Sequence, residues 1–370
     1  MFPPIFGGPT RSAKEFRGGR PIRGPPKTQD AANAQYADNY KRMNELSKDA
    51  VSWLTVGEDA AGQRVDNFLS RILKGVPKSH IYRILRSGEV RVNKGRVGPD
   101  VRLALGDVVR VPPVRTAAPA RPPVSGGGFA RVGLELPFLF EDDALIALDK
   151  PSGLAVHGGS GIAQGLIEQL RAARPEAKFL ELVHRLDRET SGILLIAKKR
   201  AALVGLHEQL REGGFDKRYL ALVRGRWRDE KRRVRLALHK FSTQDGERRV
   251  RVEEDGQAAE TIFYRRSTWF DRDPPLALLE AELLTGRTHQ IRVHLTHLGF
   301  PLAGDDKYGD FAWNKVLAKQ GLKRMFLHSC ALGFVHPVTG DAMAFDSPLP
   351  DDLARFVARL NTETMETRDA

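Results

Sequence analysis

Cysteine is almost missing from the 370-residue chain: Cys330 is the single one. That excludes an internal disulfide and a thiolate metal cluster, and it suits a reducing, cytoplasmic setting. No apolar run approaches the roughly 18 residues needed to cross a bilayer. The start, Met1-Phe2-Pro3-Pro4-Ile5-Phe6-Gly7-Gly8, is too short and too broken by proline and glycine to read as a signal peptide. Acidic residues are in deficit, 46 against 59 Lys plus Arg, for a formal charge of +13. This balance points to a polyanionic partner, nucleic acid in the simplest case, although a generally basic soluble protein would share it. A 41% hydrophobic share is enough for a sizeable core.

Two chemical signatures are missing as well. Val156-His157-Gly158-Gly159-Ser160-Gly161 is glycine-rich but has neither the spacing nor the lysine of a phosphate-binding loop, so it reads as a turn near a site's rim. His289, His294 and His297 lie close in sequence without an H-E-x-x-H spacing or a cysteine, and hydrogen-bonding or core roles are expected for them. Neither a metal nor a cofactor is expected.

What is present divides the chain. Residues 1–50 carry proline, glycine and scattered arginines without apolar periodicity and read as a disordered basic tail. From 51 to 111 the texture is compact. Val65, Phe68, Leu69 and Ile72 have helical spacing, and Ile81, Ile84 and Leu85 repeat it after Pro77. Residues 88–94 alternate like a strand entering a turn, and 101–111 read as the closing hairpin. Lys78, Arg83, Arg86, Arg91 and Lys94 on this small unit form a candidate phosphate-reading surface; a solvated basic face is the plainer alternative. Residues 112–131, proline-rich and then Ser-Gly-Gly-Gly, read as a linker. A larger domain is expected over 132–362, with a short tail over 363–370.

In the larger domain, 139–148 reads as strand, acidic turn and strand, 199–212 as an amphipathic helix, and 217–225 as a strand. Residues 229–260 look like one exposed, charged hairpin. Residues 276–284 form a strand that runs into a loop and a helix stopping at Gly299. Residues 325–337 read as an apolar strand pair, and Leu353, Phe356, Val357 and Leu360 mark a last helix. Strands prevail without regular β-α-β alternation, so the expected class is α+β on a mainly antiparallel, mixed sheet.

The organising stretch is His184-Arg185-Leu186-Asp187-Arg188-Glu189-Thr190-Ser191-Gly192. Apolar runs at 179–183 and 193–197 flank it, so it reads as a loop displayed between buried strands, where functional residues concentrate. Arg185 stands two residues before Asp187 and Arg188 directly after it. Cations nearby favour a charged carboxylate, suited to nucleophilic attack rather than general-acid work. A structural ion-pair cluster at a strand end would show the same residues.

HRLDRETSG resembles the catalytic motif of the pseudouridine synthases that act on large-subunit ribosomal RNA and related RNAs, and GRTHQIRVH is a second match. RVDNFL, SHIYRILRSGEVRVNKGRV and GDVVRV resemble the RNA-binding module named after small-subunit ribosomal protein four. KGVPKSHIYRILRSGEVRVNK, VHGGSG and RPEAKFLELVHRLDR are similar to the bacterial pseudouridine synthase C type within that family. The resemblance spans residues 57–360. It implies that Asp187 is catalytic, that Arg292 pairs with it, and that Tyr219, in a K-x-Y-x-A-x-V-x-G pattern, faces the target base. Arg185, Arg188, Arg287 and His289 are the expected substrate contacts.

By the same resemblance, a C1′–nitrogen bond is exchanged for a C1′–carbon bond without losing the uracil. One carboxylate then suffices, whereas glycoside hydrolysis needs two. Asp187 would add to the sugar or remove a sugar proton after the uridine is flipped out. The expected partner is large-subunit ribosomal RNA or its assembly intermediates, bound by a monomer with no membrane contact; transfer RNA is the alternative. Two other readings stay open: a non-catalytic RNA-binding or ribosome-assembly protein, and a hydrolase using Asp187 with Glu189.

Overall fold

The computed structural model describes residues 50–57, 60–73, 76–114, 136–158, 164–243 and 247–366. The expected tail before residue 50, most of the linker and part of the 156–161 turn lie outside them. The chain divides into two compact units, within residues 1–124 and 125–370.

The first unit runs β1 (Ser52–Thr55), α1 (Val65–Ile72), α2 (Lys78–Arg86), β2 (Arg91–Val92), β3 (Gly95–Arg96) and β4 (Val108–Val111). Its antiparallel sheet has the order β1-β4-β2-β3. Phe68 and Leu69 on α1 meet Ile81, Ile84 and Leu85 on α2 beneath Val109 and Val111. Asp66 clips the two helices together, accepting from Arg64 and from the Tyr82 hydroxyl at 2.9 Å. Asn93 and Lys94, both with positive φ, make the tight turn between β2 and β3, the handedness that matches strand twist. Lys78, Arg83, Arg86, Arg91 and Lys94 are all exposed.

Two expectations are corrected here. Residues 101–105 are not a hairpin arm: only Leu103 points inward, and it exchanges backbone hydrogen bonds with Gln63 and Gly62. β4 pairs instead with β1 and β2. Pro112 and Val114 are buried, so the unit reaches past residue 111.

The second unit begins with β5 (Phe138–Glu141), β6 (Leu145–Lys150), α3 (Leu166–Ala173), β7 (Glu181–Leu182), β8 (Ser191–Ala197), α4 (Arg200–Glu212) and β9 (Asp216–Arg224). It continues with β10 (Lys231–Arg235), β11 (Leu238–Ser242), β12 (Arg248–Val252), β13 (Glu260–Trp269), β14 (Leu276–Leu283) and α5 (Gln290–His297). α6 (Phe311–Lys319), β15 (Leu327–Val335), β16 (Ala342–Asp346) and α7 (Asp351–Glu366) complete it. The large sheet has the order β10-β13-β14-β9-β15-β8-β6-β5, with β16 on β15 and β7 on β8. Every pairing is antiparallel except β8 with β15, which is parallel. The class is therefore α+β on a mainly antiparallel mixed sheet.

Period-two alternation sorts the strands onto two covered faces. On β8, Leu194 and Ile196 turn toward Leu166, Ile167 and Leu170 of α3, while Ile193 and Leu195 turn toward Leu206 of α4. Beyond β9, Trp313 and Leu317 of α6 and Leu353, Phe356 and Leu360 of α7 cover Leu222 and Leu278. Ile291 and Leu295 of α5 pack on the α3 side, which is where the cleft lies.

The 325–337 run proves to be one strand, β15, which pairs with β16 as well as with β8 and β9. The 229–260 segment is not a single hairpin either. β10 joins the large sheet as its edge on β13, and β11 with β12 forms a separate ribbon. An edge strand with only Val234 buried tolerates its run of lysine and arginine, which also discourages edge-to-edge pairing. The last helix continues to Glu366, beyond the expected boundary at 362. No helix among the described residues is long and apolar enough to cross a membrane.

Candidate active site

The loop before β8 is fastened at several points. His184 Nε2 accepts the N–H of Leu195 at 3.1 Å, and burial pushes the ring's pKa down to about 4, leaving it a neutral acceptor. Ser191 Oγ accepts from Arg324 at 2.6 Å. At Gly192 φ is +109°, and a Cβ would stand 2.2 Å from the Ser329 carbonyl oxygen. A glycine is what lets β8 and β15 close at that rung.

Lys150, wholly buried at the end of β6, gives its Nζ hydrogens to the carbonyls of Pro151 (2.8 Å), Leu154 (2.9 Å) and Arg188 (3.1 Å). Burial pushes this lysine's pKa down to about 7, with Arg324 adding to the effect. The Ser152 hydroxyl donates to the Glu189 carbonyl at 2.7 Å. The 151–154 turn thus clamps the loop that carries Asp187.

Asp187 emerges from this loop half-buried. Arg292 on α5 donates from Nη1 to its Oδ2 at 3.1 Å. The rest of the Arg292 fork is engaged by Asp305, Nε to Oδ2 at 2.7 Å and Nη2 to Oδ1 at 2.7 Å. Burial works against the charged form of Asp305, but Arg292 and the amides of Tyr308 and Lys307 outweigh it and hold its pKa below the usual value. Burial likewise opposes the Arg292 charge, and Asp305 with Asp187 overcomes it. A bidentate pair is geometrically specific, so Asp305 aims the remaining nitrogen of the fork, Nη1, at Asp187.

The cations beside Asp187 in sequence are not its partners. Arg188 donates to the Gly153 carbonyl at 3.1 Å and pairs with Glu189 at 3.3 Å, outside the cleft. Folding brings in Arg292 from 105 residues away instead. Arg185, Tyr219, Arg287 and His289 line the cleft together with Asp187 and Arg292. His289 Nε2 lies 3.8 Å from Asp187 Oδ1. Tyr219 comes from β9, and burial pushes its hydroxyl up to about 12, with Ser329 opposing by a hydrogen bond. His294 is buried with its ring nitrogens near Thr261 Oγ1 and the Leu236 carbonyl, both at 3.1 Å. Asp305, Tyr308 and Lys150 escaped the reading of the sequence. The signal for the first two was Gly304-Asp305-Asp306-Lys307-Tyr308-Gly309, a polar turn bounded by glycines.

Residues 144–297 match the family described as RNA pseudouridylate synthase, and residues 63–109 match the S4 domain. The chain is 50% identical over 325 residues to the ribosomal large subunit pseudouridine synthase C of Pasteurella multocida, covering 88% of this chain and 98% of that protein. It is 51% identical over 320 residues to the same-named protein of Haemophilus influenzae, covering 86% and 98%. The one from Yersinia pestis is 54% identical over 310 residues, covering 84% and 96%. The chain belongs to the RNA pseudouridylate synthases. It is an enzyme, and its first unit is an RNA-binding S4 domain. The reading as a non-catalytic RNA-binding protein falls with that membership. The hydrolase reading falls too, and Glu189 is turned to Ser152 and Arg188 rather than to the cleft.

Proposed function

We propose that the enzyme converts specific uridines of large-subunit ribosomal RNA, mature or in assembly intermediates, to pseudouridine, with Asp187 as the catalytic carboxylate. The activity named for three relatives, each matched over at least 96% of its length, supports the substrate. One observation carries the chemistry. Asp187 is the only carboxylate lining the cleft among the described residues, with Arg292 on Oδ2 and Oδ1 left for the substrate. The N1–C1′ bond breaks, the uracil turns, a C5–C1′ bond forms, the C5 proton leaves and N1 gains one. Nothing else is consumed. Addition to C1′ and removal of a sugar proton both use the same carboxylate oxygen.

The uridine is flipped out of its stack to reach Asp187. Exposed Arg185 fills the vacated space and stacks its guanidinium plane on the neighbouring bases. Tyr219, whose phenol keeps its proton at neutral pH, offers a ring face to the uracil rather than a phenolate base. Arg287 and His289 complete the contacts. In the S4 unit Lys78, Arg83, Arg86, Arg91 and Lys94 hold phosphates, which supplies affinity more than sequence choice. In this reading the enzyme acts in the cytoplasm as a monomer.

RNA carrying uridine tritiated at C5 tests the chemistry. Wild type should release tritium, and Asp187→Asn should release none while binding RNA as before. Turnover within about tenfold of wild type would remove Asp187 from this role, and free uracil would mean hydrolysis. Pseudouridine mapping in cells lacking the protein tests the substrate: loss confined to transfer RNA would overturn it.

A further inference from the structure

The turn after α5 places a tyrosine where it touches both groups that face Asp187. The Tyr308 hydroxyl lies 2.8 Å from His289 Nδ1, the two rings meet edge to face with centroids 5.5 Å apart, and the Arg292 guanidinium sits over the Tyr308 ring at 5.1 Å. Tyr308 itself is held firmly. Its N–H donates to Asp305 Oδ1 at 2.9 Å, and its carbonyl accepts from Thr296 at 3.0 Å.

We infer that Tyr308 is a positioning residue whose hydroxyl selects the tautomer of His289 that presents an N–H, rather than a lone pair, to Asp187. This rests on the reading of Asp187 as the catalytic carboxylate. Hydrogen-bond accounting decides the tautomer. The phenol oxygen accepts the N–H of Val250 on β12 at 2.9 Å. The hydroxyl proton has one acceptor among the described residues, His289 Nδ1. In the reverse assignment, Nδ1–H would donate to an oxygen that already accepts, and the phenol proton would be left without an acceptor in a half-buried site, which is costly. Nδ1 is therefore the acceptor, and on a neutral ring Nε2 carries the hydrogen. Burial favours that neutral ring, with Asp187 acting the other way.

Nε2 faces Asp187 Oδ1 at 3.8 Å while Arg292 holds Oδ2 at 3.1 Å. Arg292 then holds Oδ2, while the Nε2–H, too distant for a hydrogen bond, turns its positive edge toward Oδ1 and leaves that oxygen open to the substrate. The other tautomer would set a lone pair against a charged oxygen. His289 also carries an unusual backbone, φ 53° and ψ 23°, the left-handed region that strains a non-glycine residue. Backbone held in such a conformation at the mouth of a cleft fits an imidazole required at that spot.

Nitrogen-15 NMR of histidine-labelled enzyme reads the tautomer directly. Wild-type His289 should be the Nε2–H form. Tyr308→Phe keeps the ring contacts and loses only the hydroxyl, so the Nδ1–H form should appear. The rate constant at saturating RNA should fall roughly tenfold with KM unchanged. In a His289→Gln background, Tyr308→Phe should add nothing further. An Nδ1–H ring in the wild type, an unchanged tautomer in the Phe variant, or a loss that adds in full to His289→Gln would each overturn the inference. If the Phe variant does not fold, the wild-type tautomer alone decides. The NMR readout is independent of the carboxylate assignment, which would fail separately through an active Asp187→Asn.

Discussion

Asp305→Asn isolates the contact that aims Arg292. Asp305 is wholly buried and accepts four hydrogen bonds: two from Arg292, both at 2.7 Å, and those from the amides of Lys307 at 2.8 Å and Tyr308 at 2.9 Å. An asparagine of the same shape can keep its oxygen on the side that takes three of these. Its amide nitrogen then meets Arg292 Nε, donor against donor, and the guanidinium loses its nearest counter-charge. Breaking a buried ion pair by removing one partner costs about 3–5 kcal/mol. Arg292 retains Asp187 at 3.1 Å, which puts the expected loss near the lower end, about 3 kcal/mol. With a urea slope of about 3 kcal/mol per molar, the unfolding midpoint should drop by about 1 M. A guanidinium no longer pinned at two atoms also stops fixing the Asp187 oxygens, and misplacement of a reacting group by about 1 Å costs about 100-fold in rate. Tritium release at saturating RNA, measured well below the melting temperature, gives the rate. A variant within about threefold of wild type there would refute the aiming role, and an unmoved urea midpoint would refute the energetic argument.

Gly192→Ala should cost at least about 3 kcal/mol, because the new methyl group meets the β15 backbone and the backbone angle is one that alanine avoids; a wild-type melting temperature would count against the close approach. Glu141 is held down to about 2, from an ordinary 4.5, by Arg174 first and then Lys198. The native state therefore binds fewer protons than the unfolded one across that range, so the contribution is present above pH 4.5 and is lost as pH falls toward 2. Glu141→Gln should flatten the acid limb of the stability curve in that window, and an unchanged limb would show that the pair does not act. Arg83→Ala with Arg86→Ala should reduce the slope of log affinity against log salt by roughly 0.7–0.9 for each phosphate left without its cation; an unchanged slope would take α2 off the RNA surface.

The loop that carries Asp187 was legible because the apolar runs on both sides of it bury as strands. Arg292 was reachable through its motif, although nothing local ties it to Asp187. Asp305 was not legible, since a buried ion pair formed between residues 13 apart leaves no periodic trace. Of the two flanking arginines, Arg185 lines the cleft with Asp187, whereas Arg188 is turned away to the Gly153 carbonyl and Glu189, since adjacency in a loop says little about direction. Residues 101–105 imitate a strand by alternation, yet a single inward leucine is too little to seat an arm in the sheet. The length of β15 similarly made one strand look like two, because a strand buried on both faces carries no alternation to mark its ends.

β15 contributes none of the chemistry assigned to the cleft, yet Ser329 pairs with Gly192 on one side and with Tyr219 on the other. The gap between β8, which follows the Asp187 loop, and β9, which carries Tyr219, is therefore two interstrand spacings, about 10 Å, a length set by backbone hydrogen bonds. The register irregularity of β15 lies past that rung, between Ser329 and Ala331. Such a gauge is indifferent to what happens in the connections. Insertions into the β11–β12 ribbon can change which RNA fits over the cleft without altering the spacing of β8 and β9. A lineage is thus free to retarget this enzyme through its loops, whereas a residue added to β15 ahead of Ser329 would disable every substrate at once.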